Sequence, residues 1–452
     1  VSTITNMQQV FHGTLFNSPI NNWKVSAVTS MFNMFRNTPF NQPLDNWDTS
    51  NVTDMSGMFS FAESFDQNIG NWDISNVTLM TDMFNGVTLS TPNYDATLIG
   101  WHTDSSGGAN NGIDDVPNNI TFNGGSSQYC SAIFARNSLD TSFNWSITDG
   151  GLGCRVEDYF ITTWVVEENE TITIPTNGTG YNYDVDWSYD GATFNAESTN
   201  VSGNTTSTPL TAGTYTVAIR GVFPRIYFNN TGDKDKIQTI EQWGANLWTS
   251  MAQSFRGCSN LVLNATDTPN LSQATSMENM FWFCSSFVDN GGVINNWDVS
   301  TITDMERIFQ NTLFNSAVNN WNVSAVTTMS NMFRNTPFNQ PLDNWNIENV
   351  NNLQGVFANS PFNQNISGWD TSSTTRFDGM FQNNTSFNQN ISGWNTELAI
   401  IMNNMFNGAR NFNQNIGNWD ISNVTRMSFM FFDATLSQEN YDATLIGWHT
   451  DS

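Results

Sequence analysis

The stretch Trp47–Asn71, WDTSNVTDMSGMFSFAESFDQNIGN, is one spelling of a phrase that the chain repeats. Its apolar residues are Trp47, Val52, Met55, Met58, Phe59, Phe65 and Ile69. Met55, Met58 and Phe59 stand at i, i+3 and i+4, the spacing of one face of a short helix. Ser50, Asn51, Thr53 and Asp54, just before them, are residue types that start helices. The segment from Ile69 to Ile74 alternates loosely and reads as a short strand. One such unit cannot bury its own Trp, Met and Phe, but stacked units can.

Tryptophan measures the period. Trp297, Trp321, Trp345 and Trp369 are 24 residues apart, and Trp394 and Trp419 follow at 25. Trp23, Trp47 and Trp72 are spaced 24 and 25, and the steps Trp72–Trp101 and Trp419–Trp448 are both 29. Periods of this length indicate a solenoid, and an atypical last unit indicates a cap. The expected fold class is therefore an α/β repeat, one short strand plus one helical turn per 24–25 residues. Trp297, Trp321, Trp345, Trp369, Trp394 and Trp419 should form a core ladder. FNQNISGW, identical at Phe362–Trp369 and Phe387–Trp394, adds a Phe to that core. Its Asn and Gln can bond backbone groups of their own turn and the next. A phrase copied into every turn is a poor place for an active site.

These residues resemble the BspA-like leucine-rich-repeat surface proteins, whose units read F-N-Q-x-I-x-x-W-D-T-S-N-V-T-x-M-x-x-M-F. The clearest matches are Phe40–Phe59, Phe65–Phe84 and Phe412–Phe431, and the likeness covers Val1 to about Ser105 and about Arg225 to Ser452. TTRFDGMF (Thr374–Phe381) and LAIIMNNMF (Leu398–Phe406) depart from it. The resemblance implies a leucine-rich-repeat-like solenoid on a bacterial or viral surface, used in adhesion or host contact and without enzymatic activity.

Other segments punctuate the arrays. Residues 106–154 open with a Gly/Asn/Asp loop (Ser105–Asp115) and read as a capping unit; similar YC…ARxxL…C elements end BspA-like proteins. Residues 155–222 hold short alternating stretches, FITTWVV, ETITIPT, YNYDVDW and GTYTVAIRG, the pattern of an all-β sandwich. VDWSYDG within them resembles a polycystic-kidney-disease-type immunoglobulin-like domain, its usual W-G-D-G altered to Trp187-Ser188-Tyr189-Asp190-Gly191. The expected order is repeat solenoid 1–105, cap 106–154, sandwich 155–222 and a second solenoid 223–452. The chain opens and closes in mid-motif and reads as a window of a longer polypeptide. The block NMFRNTPFNQPLDNW, at Asn33–Trp47 and Asn331–Trp345, points to duplication of large modules.

Four cysteines form two pairs. Cys130 and Cys154 both lie in the cap, which favours a disulfide. Cys258 and Cys284 occupy the same place in adjacent units and could form a cross-turn disulfide or remain buried thiols. Paired cysteines favour an oxidising, extracellular compartment. Asp184, Asp186 and Asp190, and Asp233 with Asp235, are the Ca²⁺ candidates; neither group has EF-hand spacing, and ordinary turn residues are the competing reading. Many N-x-S/T sequons arise from the repeat grammar itself, so the loop sites Asn177, Asn204 and Asn229 are the better glycosylation candidates. Only His12, His102 and His449 carry imidazole, and they build no catalytic constellation.

Forty-one acidic residues face 14 Lys plus Arg among 452, a net charge of −27. That charge disfavours nucleic acid and anionic membranes as partners. No apolar run is long enough to span a bilayer. The expected role is an extracellular structural protein, part of a long fibre on a cell or virion surface, its partners adjacent modules or other copies of itself. An adhesin whose solenoid face binds a host protein or glycan is the alternative. Apart from possible Ca²⁺, no cofactor is expected.

Overall fold

The computed structural model describes residues 3–103, 116–130 and 132–450; the loop Ser105–Asp115 lies outside them. The chain divides into two compact units, Val1–Asp158 with Arg220–Val222, and Tyr159–Ile219 with Phe223–Ser452.

The Met-x-x-Met-Phe segment is not a helical turn. From Met55 to Ala62 the backbone makes overlapping tight turns: Met58 N–H donates to the Met55 carbonyl at 3.2 Å, Ser60 to Gly57 at 3.0 Å and Ala62 to Phe59 at 2.8 Å. The intervening N–H groups leave the coil altogether. Met55, Gly57, Phe59 and Phe61 donate to Leu79, Thr81, Met83 and Asn85 of the next coil, at 2.8, 2.8, 3.0 and 2.7 Å. An α-helix needs every N–H directed at the carbonyl four residues back. Two residues per coil also have positive φ, Gly57 (62°) and Phe61 (57°). The pair recurs as Asn33/Asn37, Asn331/Asn335, Gly379/Asn383 and Asn404/Gly408. Such left-handed residues interrupt a right-handed helix, and Gly and Asn tolerate them best.

The expected strand is also missing from the unit. Successive coils meet in single-residue parallel bridges, in the columns Asn6–Ser30–Asp54–Leu79 and Ser276–Asp304–Thr328–Asn352–Arg376–Ile401–Arg426. The leucine-rich-repeat-like α/β solenoid, with a strand and a helical turn per unit, is therefore overturned. In its place stand stacked irregular coils held by coil-to-coil hydrogen bonds. The described residues include three α-helices, α1 (Thr91–Thr103), α2 (Ile133–Thr141) and α3 (Gln438–Thr450), and none of them belongs to a regular repeat.

The core is a set of aromatic columns. In the second unit Phe281, Phe309, Phe333, Phe357, Phe381, Phe406 and Phe431 stack at centroid spacings of 5.7–6.0 Å. A second column, Phe287–Phe314–Phe338–Phe362–Phe387–Phe412, lies beside it. The two interleave within each coil, as Phe357 does on Phe362 at 3.8 Å. Nearly all these rings are fully buried. Offset stacks of this kind add to the free energy of burial itself.

In the first unit α1 follows the last coil, and a cap closes the stack. Strands β1 (Thr121–Asn123) and β2 (Ser146–Thr148) pair in parallel, and Phe122 bridges to Met80 of the last coil. Cys130 and Cys154 form a disulfide in this cap.

The second unit begins with a mixed sheet. Its strands are β3 (Phe160–Val166), β5 (Asn182–Asp186), β6 (Ser198–Val201), β8 (Gly213–Val222), β9 (Ile237–Gln242) and β10 (Val262–Leu263), in the order β10-β9-β3-β8-β5-β6. β3 pairs antiparallel with β8, from Phe160↔Ile219 to Val166↔Gly213. A two-stranded ribbon of β4 (Thr173–Ile174) and β7 (Thr205–Thr206) completes the region. This corrects the expectation of a self-contained sandwich ending at residue 222. β9 and β10 extend the sheet into the following segment, and one hydrophobic core runs from Phe160 to Trp448. The sheet edge is thus covered by paired backbone, where a separate domain would need its own closing strand.

Candidate functional site

The outer side chains of each coil tie it to its neighbours. Asn363 of FNQNISGW donates its N–H to Asn339 Oδ1 at 2.9 Å. In turn Asn363 Oδ1 accepts the Asn388 N–H at 2.9 Å and Gln389 Nε2 at 3.0 Å. The same exchange joins Asn17 to Asn41 and Gln42, and Asn388 to Asn413 and Gln414. Trp321, Trp345, Trp369, Trp394 and Trp419 each donate the indole N–H to the carbonyl of Ile294, Val318, Leu342, Ile366 and Ile391 in the preceding coil. Trp297, at the head of the column, packs edge-on against Trp243 at 5.4 Å. Each phrase therefore commits its polar atoms to the coils on either side, satisfying backbone groups that have no ladder partner.

The aspartates after Trp act locally. Asp298, Asp370 and Asp420 accept from Ser300, Ser372 and Ser422, and these serine hydrogen bonds hold their carboxyls below the usual range. The sequon residues Asn51, Asn76 and Asn423 donate Nδ2, the atom that would carry a glycan, to Ser26, Ser50 and Glu397 carbonyls of the preceding coil. Among the preferred loop sites, Asn177 and Asn204 are exposed; Asn204 Oδ1 accepts from the Thr176 backbone at 2.7 Å. Asn229 is half-buried, and its Oδ1 accepts from Arg256 at 2.8 Å.

The proposed calcium ligands are used in turns. Asp184 accepts the Asn200 N–H, Asp186 those of Ser188 and Asn195, and Asp190 those of Ala192 and Thr193. Asp233 accepts the Thr173 N–H and pairs with Lys236 at 3.1 Å. Asp235 binds Lys234 and Ser259. No cluster of three or more His, Cys, Asp or Glu arranged to hold a metal occurs among the described residues.

Cys258 and Cys284 are free thiols, which corrects the expected cross-turn disulfide. The Cys284 Sγ–H donates to the Phe255 carbonyl at 2.9 Å. Burial pushes both thiols well up, so the thiolate needed for exchange is suppressed.

One constellation lies outside every expectation drawn from the repeat. In coils 251–257, 277–283 and 305–311, Phe283 and Arg307 stand where most coils hold Asn, Gln or Gly, and Arg256 and Trp282 share a position that varies from coil to coil. The Arg256 and Arg307 guanidinium carbons lie 4.3 and 5.2 Å from the Trp282 ring centroid, and Phe283 stacks on Trp282 at 4.9 Å. Arg225 covers Tyr227 at 4.5 Å. Phe283 is 46% exposed and has a φ of 66°. A left-handed residue with a Cβ costs about 1–2 kcal/mol, and this ring recovers little of it by burial. Departure of Phe283 and Arg307 from columns rich in Asn and Gly was the signal that could have found this cluster in the sequence.

A family model described as "Mycoplasma protein of unknown function, DUF285" matches residues 1–97, 249–361 and 335–444, covering coils and the first part of α1 and α3. No curated protein matches the chain, and no solved structure does.

Proposed function

This chain belongs to the DUF285 family, and on that premise we propose that it is an extracellular structural repeat protein, part of a long surface fibre. The carrying observation is that each coil commits its aromatic rings, its Asn and Gln amides and its indole N–H to the adjacent coil. Such a stack extends by adding copies of one unit, and its stability grows with nearest-neighbour interfaces. The cap disulfide and the high negative charge suit an oxidising, aqueous exterior. No described helix is long and apolar enough to cross a membrane. The likeness of the F-N-Q and W-D-T-S-N-V-T phrases to BspA-like surface proteins supports the same placement. In this reading the chain carries out no catalysis and its partners are further modules or copies of itself. Negative-stain imaging and light scattering of the purified chain are expected to show elongated, self-associating particles. Compact monomers alone, at all concentrations, would overturn the proposal.

A second reading, an adhesin, is favoured by the exposed ring of Phe283, which stacks on the half-buried Trp282 outside the core. Soluble chain should then coat host cells or extracellular matrix saturably, and Trp282→Ala should reduce that coating.

A further inference from the structure

We propose that Glu397, Leu398, Ile400 and Arg426 form a contact surface through which two copies of this chain pair side by side about a twofold axis. The inference rests on the fibre reading and names a lateral contact between its chains. Three observations carry it.

The first is a break in two columns. The position of Ile400 is threonine in nearly every other coil, and its hydroxyl donates to a carbonyl of the coil before. Thr53 donates to Thr29 at 3.0 Å, Thr327 to Thr303 at 3.1 Å, Thr375 to Asn351 at 3.2 Å and Thr425 to Ile400 itself at 3.3 Å. The position of Leu398 holds Asn51, Asn76, Asn349 and Asn423 in other coils, each donating Nδ2 to a carbonyl of the coil before at 2.8–2.9 Å. Leucine and isoleucine side chains have no donor, so this one coil gives up both bonds.

The second is where the replacing carbon goes. Leu398 is 50% and Ile400 44% exposed, so the core gains little from either side chain. Apolar surface that displaces inter-coil hydrogen bonds and stays in water has its use at a contact. The two departures from the repeat phrase, TTRFDGMF and LAIIMNNMF, also meet here. Half-buried Ile401 bridges Arg376 of the coil before and Arg426 of the coil after.

The third is charge. Glu397 stands where most coils hold serine, and both Glu397 and Arg426 are exposed. Neither side chain has an ion pair or hydrogen bond among the described residues. Arg376, by contrast, is held by both oxygens of Asp378 at 3.1 Å. An apolar strip flanked by one free carboxylate and one free guanidinium is complementary to a copy of itself. A twofold axis brings Leu398 and Ile400 of two chains together and sets Glu397 of each against Arg426 of the other. Chains of net charge −27 repel one another, so a contact between them needs opposite charges matched at its rim. One contact of this size is weak by itself. Chains joined in a fibre repeat it, and the repeats act together.

The test is sedimentation velocity of the whole chain over a concentration series, with negative-stain images of the same samples. The parent chain should pair reversibly, giving particles of doubled width. Leu398→Asn combined with Ile400→Thr installs the residues that other coils carry, so the melting temperature should not fall. This variant should weaken pairing about tenfold or more and leave particle length unchanged. Glu397→Arg and Arg426→Glu should each weaken pairing about tenfold, and the two together should restore it, because the exchanged charges meet again. Pairing untouched by Leu398→Asn with Ile400→Thr, or a combined charge exchange no better than either single change, would overturn the proposal. Elongated parent particles that never double in width overturn it too and leave the fibre reading standing. Compact parent monomers at every concentration overturn both.

Discussion

The string NYDATLIGWHTDS occurs twice, at Asn93–Ser105 and Asn440–Ser452, and its described part is helical in both places. Each helix docks on its own last coil in the same way. Trp101 Nε1 donates to the Ile69 carbonyl and Trp448 Nε1 to that of Ile416, both at 3.1 Å. The N–H groups of Ile69 and Ile416 donate to Thr97 and Thr444, both at 3.2 Å. Gly100 lies so close to Gly70, and Gly447 to Gly417, that a Cβ would fall 2.2 and 2.3 Å from the facing carbonyl. The outer faces differ. Over α1 the cap brings Asp149 to the Tyr94 hydroxyl and the backbone of Cys130 and Ala132 to Asp95 Oδ1. Over α3 Tyr441 is 43% and Ile446 64% exposed. One sequence thus has a fixed inner face and an outer face whose environment depends on its neighbours.

Five measurements would sharpen or break that comparison. Trp101 is fully buried against Phe122 and Trp145, whereas Trp448 stacks on Phe431 near the surface. Trp101→Ala should cost about 3–5 kcal/mol in urea unfolding of the first unit, and Trp448→Ala should cost the second unit less. Equal losses would show that the cap adds nothing over α1. Next, reducing Cys130–Cys154 should remove about 2–4 kcal/mol from the first unit alone, read as an earlier transition by hydrogen exchange. Thiol counting on the denatured, unreduced chain should find two free cysteines, Cys258 and Cys284.

Smaller effects probe single contacts. Asp95→Ala strands two buried N–H donors and should cost about 1–3 kcal/mol, while Asp442→Ala, on an exposed position, should stay within about 0.5 kcal/mol. The smallest effect is a pH dependence. Burial lowers the His102 pKa below its ordinary 6.5, so the fold favours the neutral ring. Its contribution is complete above pH 6.5 and declines as pH falls from there through the lowered folded value. Acid titration of first-unit stability should therefore slope downward below pH 6.5, and His102→Gln should flatten that slope.

The period and the core ladder were legible because Trp and Phe recur at fixed intervals and have no better place than a shared interior. The helical turn was misread for a physical reason. Met55, Met58 and Phe59 face inward on a string of tight turns just as they would on a helix, so apolar spacing could not separate the two. The discriminating residues were Gly57 and the asparagines Asn33, Asn37, Asn331 and Asn335, whose positive φ values suit turns and exclude a helix. Cys258 and Cys284 were aligned correctly in adjacent coils. Their redox state followed from burial and from the Phe255 carbonyl, and neither is visible in spacing.

By itself the sequence determined that the units stack and which rings fill them, because these contacts lie between segments close in the repeat. Tertiary structure alone decided that alternate backbone N–H groups leave their own coil for the next, that the sheet reaches past residue 222, and that the Tyr94 face is buried while its copy at Tyr441 is open. Backbone hydrogen bonds and burial depend on which surface is brought opposite, and identical residues carry no information about that.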